Sequence, residues 1–219
     1  HLCDRRQRQM CIRDSNYRFP LQSIVSDKLL IRDYVKEKIG EEYLIPLLGS
    51  WEEYSDIDFS SLPKRFVLKC NHDSGGLVVC TDKDKLNYEE AKKKIEKSLK
   101  SNFFYIGREY QYRNIKPMIL CEKFISDDGN VPMDYKIYCF NGKPDVILVC
   151  KDRFRKNSHK ASYLYYDQEW NFIPLNKGDD KLPDPKIPIP KNLDKMLEIA
   201  KVLSCLLYTS DAADDRISV

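Results

Sequence analysis

The chain has 219 residues, of which 42% are apolar and 11% aromatic, and its 37 basic and 34 acidic side chains leave a net charge of +3. That length and apolar content are enough for one domain or two small ones with a buried core, and the mixed charge argues against a nucleic-acid partner. No apolar run approaches the roughly 20 residues that cross a bilayer, and the charged N-terminus lacks the apolar core of a signal peptide. We therefore expect a cytoplasmic protein without a transmembrane segment.

The two ends of the sequence differ from its middle. Residues 1–15 and 205–219 do not sustain a helical or strand period, and both resemble translated adapter read-through of the kind that flanks assembled environmental gene fragments. We expect them to be non-native tails. The rest is expected to divide into an N-terminal helix and strand segment, 16–61, and a main domain, 62–204, with the natural sequence cut at both ends.

The first predicted elements are a helix and a strand. Ser26 is placed to cap a helix that runs to Ile39 and stops at Gly40. Residues 43–48 are predicted to form a short strand, in which Pro46 favours an edge position.

The stretch LPKRFVLKCNHDSGG at 62–76 is the most informative in the chain. An apolar strand is predicted to end near Lys69. A short polar loop that ends with Gly75 and Gly76 follows it, and a second apolar run occupies 77–80. A lysine supplies a point charge for a polyphosphate, and glycines let backbone N–H groups approach phosphate oxygens. The alternative is a plain hairpin with a solvated lysine at its rim.

Alternating strands and two further helices make up the second half. Asn87 is expected to cap a helix to about Lys100, and a helix capped by Asn192 is expected to reach Ser204. Strands are predicted at 117–125, 133–140, 143–151, 161–166 and 170–173, and a proline-rich connector at 182–190. Asn141-Gly142 is a strong hairpin turn signal.

Two patterns in these strands bear on chemistry. In 133–140, Asp134 and Lys136 share one face while Tyr135 and Ile137 share the other, which suggests a sheet that roofs a polar cleft. The cysteines of the strands lie in apolar runs without a CxxC pair, so we expect buried, reduced thiols.

Four stretches follow one another along the chain: SDKLLIRDYVKEKIG (26–40), LPKRFVLKCNHDSGG (62–76), ILCEKFI (119–125) and MDYKIYCFNGKPDVILV (133–149). Taken in this order, they resemble the TupA-like ATP-grasp family of bacterial polysaccharide biosynthesis. The resemblance implies an α+β fold of the ATP-grasp type, with two α+β lobes around a nucleotide cleft, here truncated at the C-terminus.

The resemblance also implies roles for particular residues. Lys69 would contact the α- and β-phosphates, the loop after it would cover the phosphates, and the segment from Glu122 would read the adenine and ribose. The implied nucleotide-binding residues are Lys69, Asn71, His72, Ser74, Gly75, Gly76, Glu122, Lys123, Phe124, Ile125, Asp127 and Asp128. Lys136 would face the γ-phosphate or the acyl phosphate, Asp134 would orient it, and Arg153 is a candidate for the acceptor carboxylate. His72 is expected to serve as a hydrogen-bonding residue of the loop rather than as a base.

The implied activity is an ATP-dependent carboxylate–amine ligase acting through an acyl phosphate in cell-surface polysaccharide biosynthesis. Its partners would be ATP and a carboxylate-bearing saccharide or amino acid, with a possible peripheral association with a polysaccharide-assembly complex. Mg²⁺ is the expected cofactor, but the family holds it with acidic residues on strands beyond the last helix. No metal ligand is therefore assigned, and the chain as written is expected to be inactive.

Two other functions stay open at this point. One is a glycosyltransferase of capsule or exopolysaccharide synthesis, for which Asp127-Asp128-Gly129-Asn130 offers only a weak DxD-like signal. The other is a catalytically silent nucleotide- or sugar-binding module.

Overall fold

The computed structural model describes residues 20–73, 75–126, 132–151, 162–175 and 187–204. The chain groups into two compact units, one comprising His1–Tyr34 with Ile45–Phe124 and the other Val35–Leu44 with Ile125–Val219. Each unit has its own antiparallel sheet and its own apolar core. Helices together with two antiparallel sheets make this an α+β protein, as the sequence predicted.

In the described part of the chain, two α-helices rather than one precede the first strand. Helix α1 is Pro20–Ser26 and helix α2 is Ile31–Ile39. The prediction that Ser26 opens the second helix was wrong, because Ser26 ends α1 and the carboxylate of Asp27 accepts the Leu29 N–H at 2.8 Å. The expected stop was correct, since α2 ends at Ile39 and Gly40 has a left-handed φ of 109°.

The first sheet contains four strands, β1 to β4, with all neighbours antiparallel. They are Leu47–Trp51, Phe66–Cys70, Leu77–Cys80 and Ile119–Lys123, in the spatial order β1-β4-β2-β3. The predicted strand at 43–48 was placed too early, because Glu41–Tyr43 is a 3-10 turn and the strand begins after Pro46. Strand β1 is an edge strand, which agrees with the expectation for a proline at its start.

The core of the first unit lies on one face of this sheet. Phe66, Leu68 and Cys70 alternate inward along β2 and are completely buried. Helix α3, Tyr88–Leu99, contributes Ala91 and Ile95 to the same cluster. The predicted cap of α3 is confirmed, since the side chain of Asn87 accepts the Glu90 N–H at 3.1 Å. A short helix α4, Phe103–Gly107, follows.

The second sheet is a four-stranded meander. Its strands β5 to β8 are Asp134–Phe140, Lys143–Lys151, Ser162–Tyr166 and Phe172–Ile173, paired in chain order. Helix α5, Leu193–Ser204, follows Asn192 as predicted. The turn at Asn141-Gly142 is confirmed, with φ values of 52° and 74°.

Trp170 organises the core of the second unit. Its ring stacks on Tyr166 at a centroid distance of 4.5 Å, and its Nε1 donates to the Ile187 carbonyl at 2.9 Å. The prediction that Trp170 begins a strand was wrong, because it sits in the turn with a φ of 66° and its N–H donates to Asp167 O. Tyr135 and Ile137 pack against this core, as the alternation predicted.

Among the described residues, no helix is long and apolar enough to cross a membrane. The five cysteines in the described part of the chain are free thiols, and four of them are buried, with Cys139 half-buried.

We expect the first unit to lose stability in alkaline solution. Burial raises the pKa of Cys70 from 9.0 to about 11, and burial, reinforced by Glu122, raises the pKa of Cys121 to about 12. Both thiols are neutral in the folded and unfolded chain below pH 9.0, so their contribution to stability is complete there. Above that pH only the unfolded chain releases these protons, and the free energy of unfolding falls.

The measurement is urea unfolding across this pH range, followed by the fluorescence of Trp51 in a Trp170→Phe background. Trp51 packs against the first core, and these are the two tryptophans of the chain. The variant Cys121→Ala should lose less stability than its parent over the same rise in pH. An equal loss in both proteins would show that ionisation of this thiol is not responsible.

Candidate functional site

Lys69 lies on the face of the first sheet opposite the core. Along β2 the core takes Phe66, Leu68 and Cys70, so Val67 and Lys69 point to the other side. Lys69 is aligned with Leu120 of β4 and with Leu77 of β3. The strand thus presents a lysine at its end just before the polar loop, as the sequence predicted.

The ammonium of Lys69 is held by Glu122 from the neighbouring strand. Its Nζ lies 3.0 Å from Glu122 Oε2, and the two side chains are 17% and 7% exposed. Glu122 is aligned with Val67, two residues before Lys69, so the pair spans the strands diagonally. A pair this enclosed is screened much less by salt than a surface ion pair.

A second cation shares the same carboxylate. Arg32 Nη1 lies 3.2 Å from Glu122 Oε1, and Arg32 Nη2 donates to the Ile45 carbonyl at 2.7 Å. Arg32, Glu122 and Lys69 therefore form an ion triad with one negative and two positive charges. Sequence reasoning missed Arg32, because it is 90 residues from Glu122 and nothing local in its helix marks it.

The loop after Lys69 is anchored by the side chain of Asn71, which is completely buried. Its Nδ2 donates to Asp27 Oδ2 and to the Lys116 carbonyl, both at 3.0 Å. Its Oδ1 accepts the Met118 N–H at 2.8 Å. The amide thus ties together the α1–α2 turn, the start of the loop and the segment before β4.

His72 is also buried under the loop, with 2% exposure. Its Nδ1 lies 3.1 Å from Asn71 Oδ1, and its Nε2 lies 3.1 Å from the carbonyl oxygens of both Ser98 and Ser101. Two carbonyl acceptors at Nε2 place a proton on that nitrogen. Both ring nitrogens are engaged by protein oxygens, which is the arrangement of a hydrogen-bonding residue of the loop.

Asp73 closes the loop on itself and onto helix α3. Its carboxylate accepts the Gly76 N–H at 3.1 and 3.2 Å and the Ser98 hydroxyl at 2.5 Å. The carbonyl of Asp73 accepts from Lys28 Nζ at 2.5 Å. The N–H of Gly76 therefore already has a hydrogen-bond acceptor inside the loop. Lys28 is a further cation, and it contacts the loop at the Asp73 carbonyl. Ser74 lies outside the described residues.

The two glycines differ in what surrounds them. A Cβ on Gly76 would come within 2.3 Å of Ser98 Oγ and 2.8 Å of Cys70 Sγ. Of the atoms in the described ranges, a Cβ on Gly75 would meet only Asp73 Oδ2, at 3.4 Å. Gly76 is needed because the loop approaches α3 closely, whereas Gly75 has room for a side chain.

The segment after Glu122 is fixed by two contacts of its own. The Lys123 N–H donates to the Pro46 carbonyl at 3.0 Å. The guanidinium carbon of Arg65 stands 4.4 Å above the centre of the Phe124 ring. Phe124 ends the first unit and Ile125 begins the second. The roles of this segment in adenine binding stay predictions.

In the second sheet, Asp134 and Lys136 share a face of β5. They are aligned with Cys150 and Leu148 of β6, and both are half-buried with interactions of their own. Asp127, Asp128 and Arg153 lie outside the described residues, and their roles stay predictions.

Mg²⁺ needs several oxygen ligands at one place. No group of three or more His, Cys, Asp or Glu side chains in the described ranges could hold a metal ion. These residues by themselves do not fit a magnesium site.

Comparison with known proteins identifies the family. A family model described as TupA-like ATPgrasp matches residues 8–207. The chain belongs to the TupA-like ATP-grasp family. Among solved structures, this TupA-like ATP-grasp protein is similar to an L-amino acid ligase from Bacillus licheniformis, with a TM-score of 0.54 and 14% sequence identity. The match covers 93% of this chain and 43% of the ligase, so the chain spans less than half of that protein. No curated protein sequence matches the chain significantly.

The ATP-grasp fold predicted from the sequence is thereby confirmed. At this level of identity, the likeness to the ligase concerns the fold alone.

We expect alanine at the two loop glycines to have unequal effects. Gly76→Ala forces a new methyl group into Ser98 and Cys70 and should lower the free energy of unfolding by about 1–3 kcal/mol. Gly75→Ala, the matched control, should change it by less than about 0.5 kcal/mol. Urea unfolding of both variants is the measurement, and equal values would contradict the close packing of the loop on α3.

Proposed function

We propose that this TupA-like ATP-grasp protein is an ATP-dependent ligase that joins a carboxylate to an amine through an acyl phosphate. Membership of the family and a fold shared with a protein described as an L-amino acid ligase support a ligase-type enzyme. The observation that carries the proposal is the ion triad, whose net charge is positive. It holds Lys69 near the end of a strand, directly before a short loop.

The charges of the triad suit a polyphosphate. Lys69 and Arg32 supply two positive charges against the single negative charge of Glu122, so the triad has a net charge of +1 in an enclosed setting. The ammonium of Lys28 adds positive charge at the loop carbonyls. ATP brings several negative charges, and fixed cations stabilise such a ligand without having to reorganise. The residues present therefore fit a nucleotide phosphate at Lys69.

The proposed reaction requires several positively charged side chains. Transfer of a phosphoryl group to a carboxylate gathers negative charge on the nucleotide, the moving group and the acceptor. In the proposal, Lys69 binds the nucleotide phosphates. Lys136, oriented by Asp134, stabilises the phosphoryl group during its transfer. Arg153 binds the acceptor carboxylate through two hydrogen bonds. The amine then attacks the acyl phosphate and inorganic phosphate leaves.

Mg²⁺, when bound to the nucleotide, would neutralise phosphate charge. The described residues offer no group of three or more acidic, His or Cys side chains that could hold the ion.

The biological setting is proposed from the family alone. We propose that the acceptor is a carboxylate-bearing saccharide or amino acid, and that the reaction belongs to cell-surface polysaccharide biosynthesis in the cytoplasm. A peripheral association with a polysaccharide-assembly complex is part of the same proposal.

Removal of the Lys69 ammonium should weaken nucleotide binding. Lys69→Met keeps the length of the side chain but loses its charge, so we expect the Kd for MgATP to rise by about 10- to 100-fold, the scale of a lost charged hydrogen bond. Isothermal titration calorimetry measures the change.

The control for Lys69→Met is Lys93→Met, which removes a lysine from the exposed side of α3. It should leave the Kd within about twofold of the parent. Equal affinity in the Lys69 variant and the parent would contradict the assignment of Lys69.

A further inference from the structure

We propose that Arg32 is a positioning residue for Lys69, acting through Glu122. Arg32 holds one oxygen of Glu122, so that carboxylate cannot fully neutralise Lys69. The ammonium of Lys69 can then bind an incoming phosphate. The inference rests on the proposed function, because it concerns the same lysine, and it adds a residue that no motif indicated.

The first support is geometric. The two cations approach different oxygens of one carboxylate, Lys69 at Oε2 and Arg32 at Oε1. A carboxylate engaged at both oxygens cannot turn both of them to the lysine. Glu122 is therefore held in an orientation that gives Lys69 a single contact, at 3.0 Å.

The second support is how firmly Arg32 itself is held. Its Nη2 donates to the Ile45 carbonyl at 2.7 Å, while Nη1 contacts Glu122. The planar guanidinium spans these two acceptors at once, whereas an ammonium is a compact point charge. Helix α2 thereby fixes the carboxylate of β4, which in turn fixes the lysine of β2.

The third support is the balance of charge. The three side chains are 15%, 7% and 17% exposed, so water and salt screen them weakly. With Arg32 present the group has a net charge of +1. Without it Glu122 and Lys69 would form a neutral pair, and a phosphate would have to compete with the carboxylate for the ammonium. A phosphate site therefore needs the arginine even though the arginine need not touch the phosphate.

The test uses the full chain and four variants: Arg32→Met, Arg32→Lys, Glu122→Gln and the double variant Arg32→Met/Glu122→Gln. The first readout needs no nucleotide. Lysines are modified by reductive methylation under limiting reagent, and mass spectrometry gives the rate at Lys69. An amine that is held more tightly by Glu122 is less available to the reagent, so Arg32→Met should slow the reaction at Lys69 by about threefold or more. Glu122→Gln should accelerate it, and the double variant should match Glu122→Gln within about twofold.

The second readout is calorimetric binding of MgATP and of adenosine, which lacks phosphates. Arg32→Met frees Glu122 to hold Lys69 more tightly, so it should raise the Kd for MgATP by about tenfold, the scale of one charged hydrogen bond that the phosphate must displace, and leave adenosine binding unchanged. In the Glu122→Gln background the same substitution should have an effect of less than about twofold, because residues that act through a shared partner are not additive. Arg32→Lys should fall between parent and Arg32→Met.

The outcomes separate the two proposals. If Lys69 reactivity follows the predicted order but the parent does not bind MgATP, the proposed function fails while the control of Lys69 by Arg32 stands. If MgATP binding is weakened equally in both backgrounds, or Lys69 reactivity does not respond to Arg32, the inference is overturned. Urea unfolding of each variant shows whether a loss of binding reflects a loss of folded protein, which would also weaken adenosine binding and overturn the inference.

Discussion

The carboxylate of Glu122 is the group on which the candidate site depends. It is nearly buried, and a buried charge is tolerated only when it is paired and hydrogen-bonded. Lys69 and Arg32 meet that requirement from two different elements, β2 and α2. Among the described residues, removal of either cation would leave Glu122 with one charged partner. The ion pairs that offset the cost of burying the Glu122 carboxylate therefore also fix the position of Lys69 at the end of its strand.

The loop beside the triad follows the same principle. Asn71 satisfies donors and acceptors from three segments, and Asp73 binds the Gly76 N–H together with the Ser98 hydroxyl. Buried polar groups that are all satisfied make a region rigid and specific. The described residues of the loop are therefore held by contacts within the protein, which lowers the entropic cost of binding beside them.

Sequence patterns correctly predicted those features of the structure that depend on residues close together in the chain. The Asn87 cap, the Asn141-Gly142 turn and the placement of Lys69 at a strand end all follow from neighbouring residues.

The features that sequence reasoning missed depend on distant partners. The helix break at Asp27 is coupled to Asn71, 44 residues away, and the pairing of Arg32 spans 90. The expectation that the Gly76 backbone lies at a phosphate stays a prediction, and what the sequence did not indicate is that its lack of a side chain is needed for contact with α3.

The most direct test of the account is affinity labelling with adenosine diphosphopyridoxal, an ATP analogue whose aldehyde reacts with lysines near the phosphate site. After borohydride reduction and proteolysis, mass spectrometry identifies the modified lysines. The account predicts that Lys69 is modified and that MgATP protects it. Modification confined to the exposed lysines of α3, or modification of Lys69 that MgATP does not reduce, would contradict it.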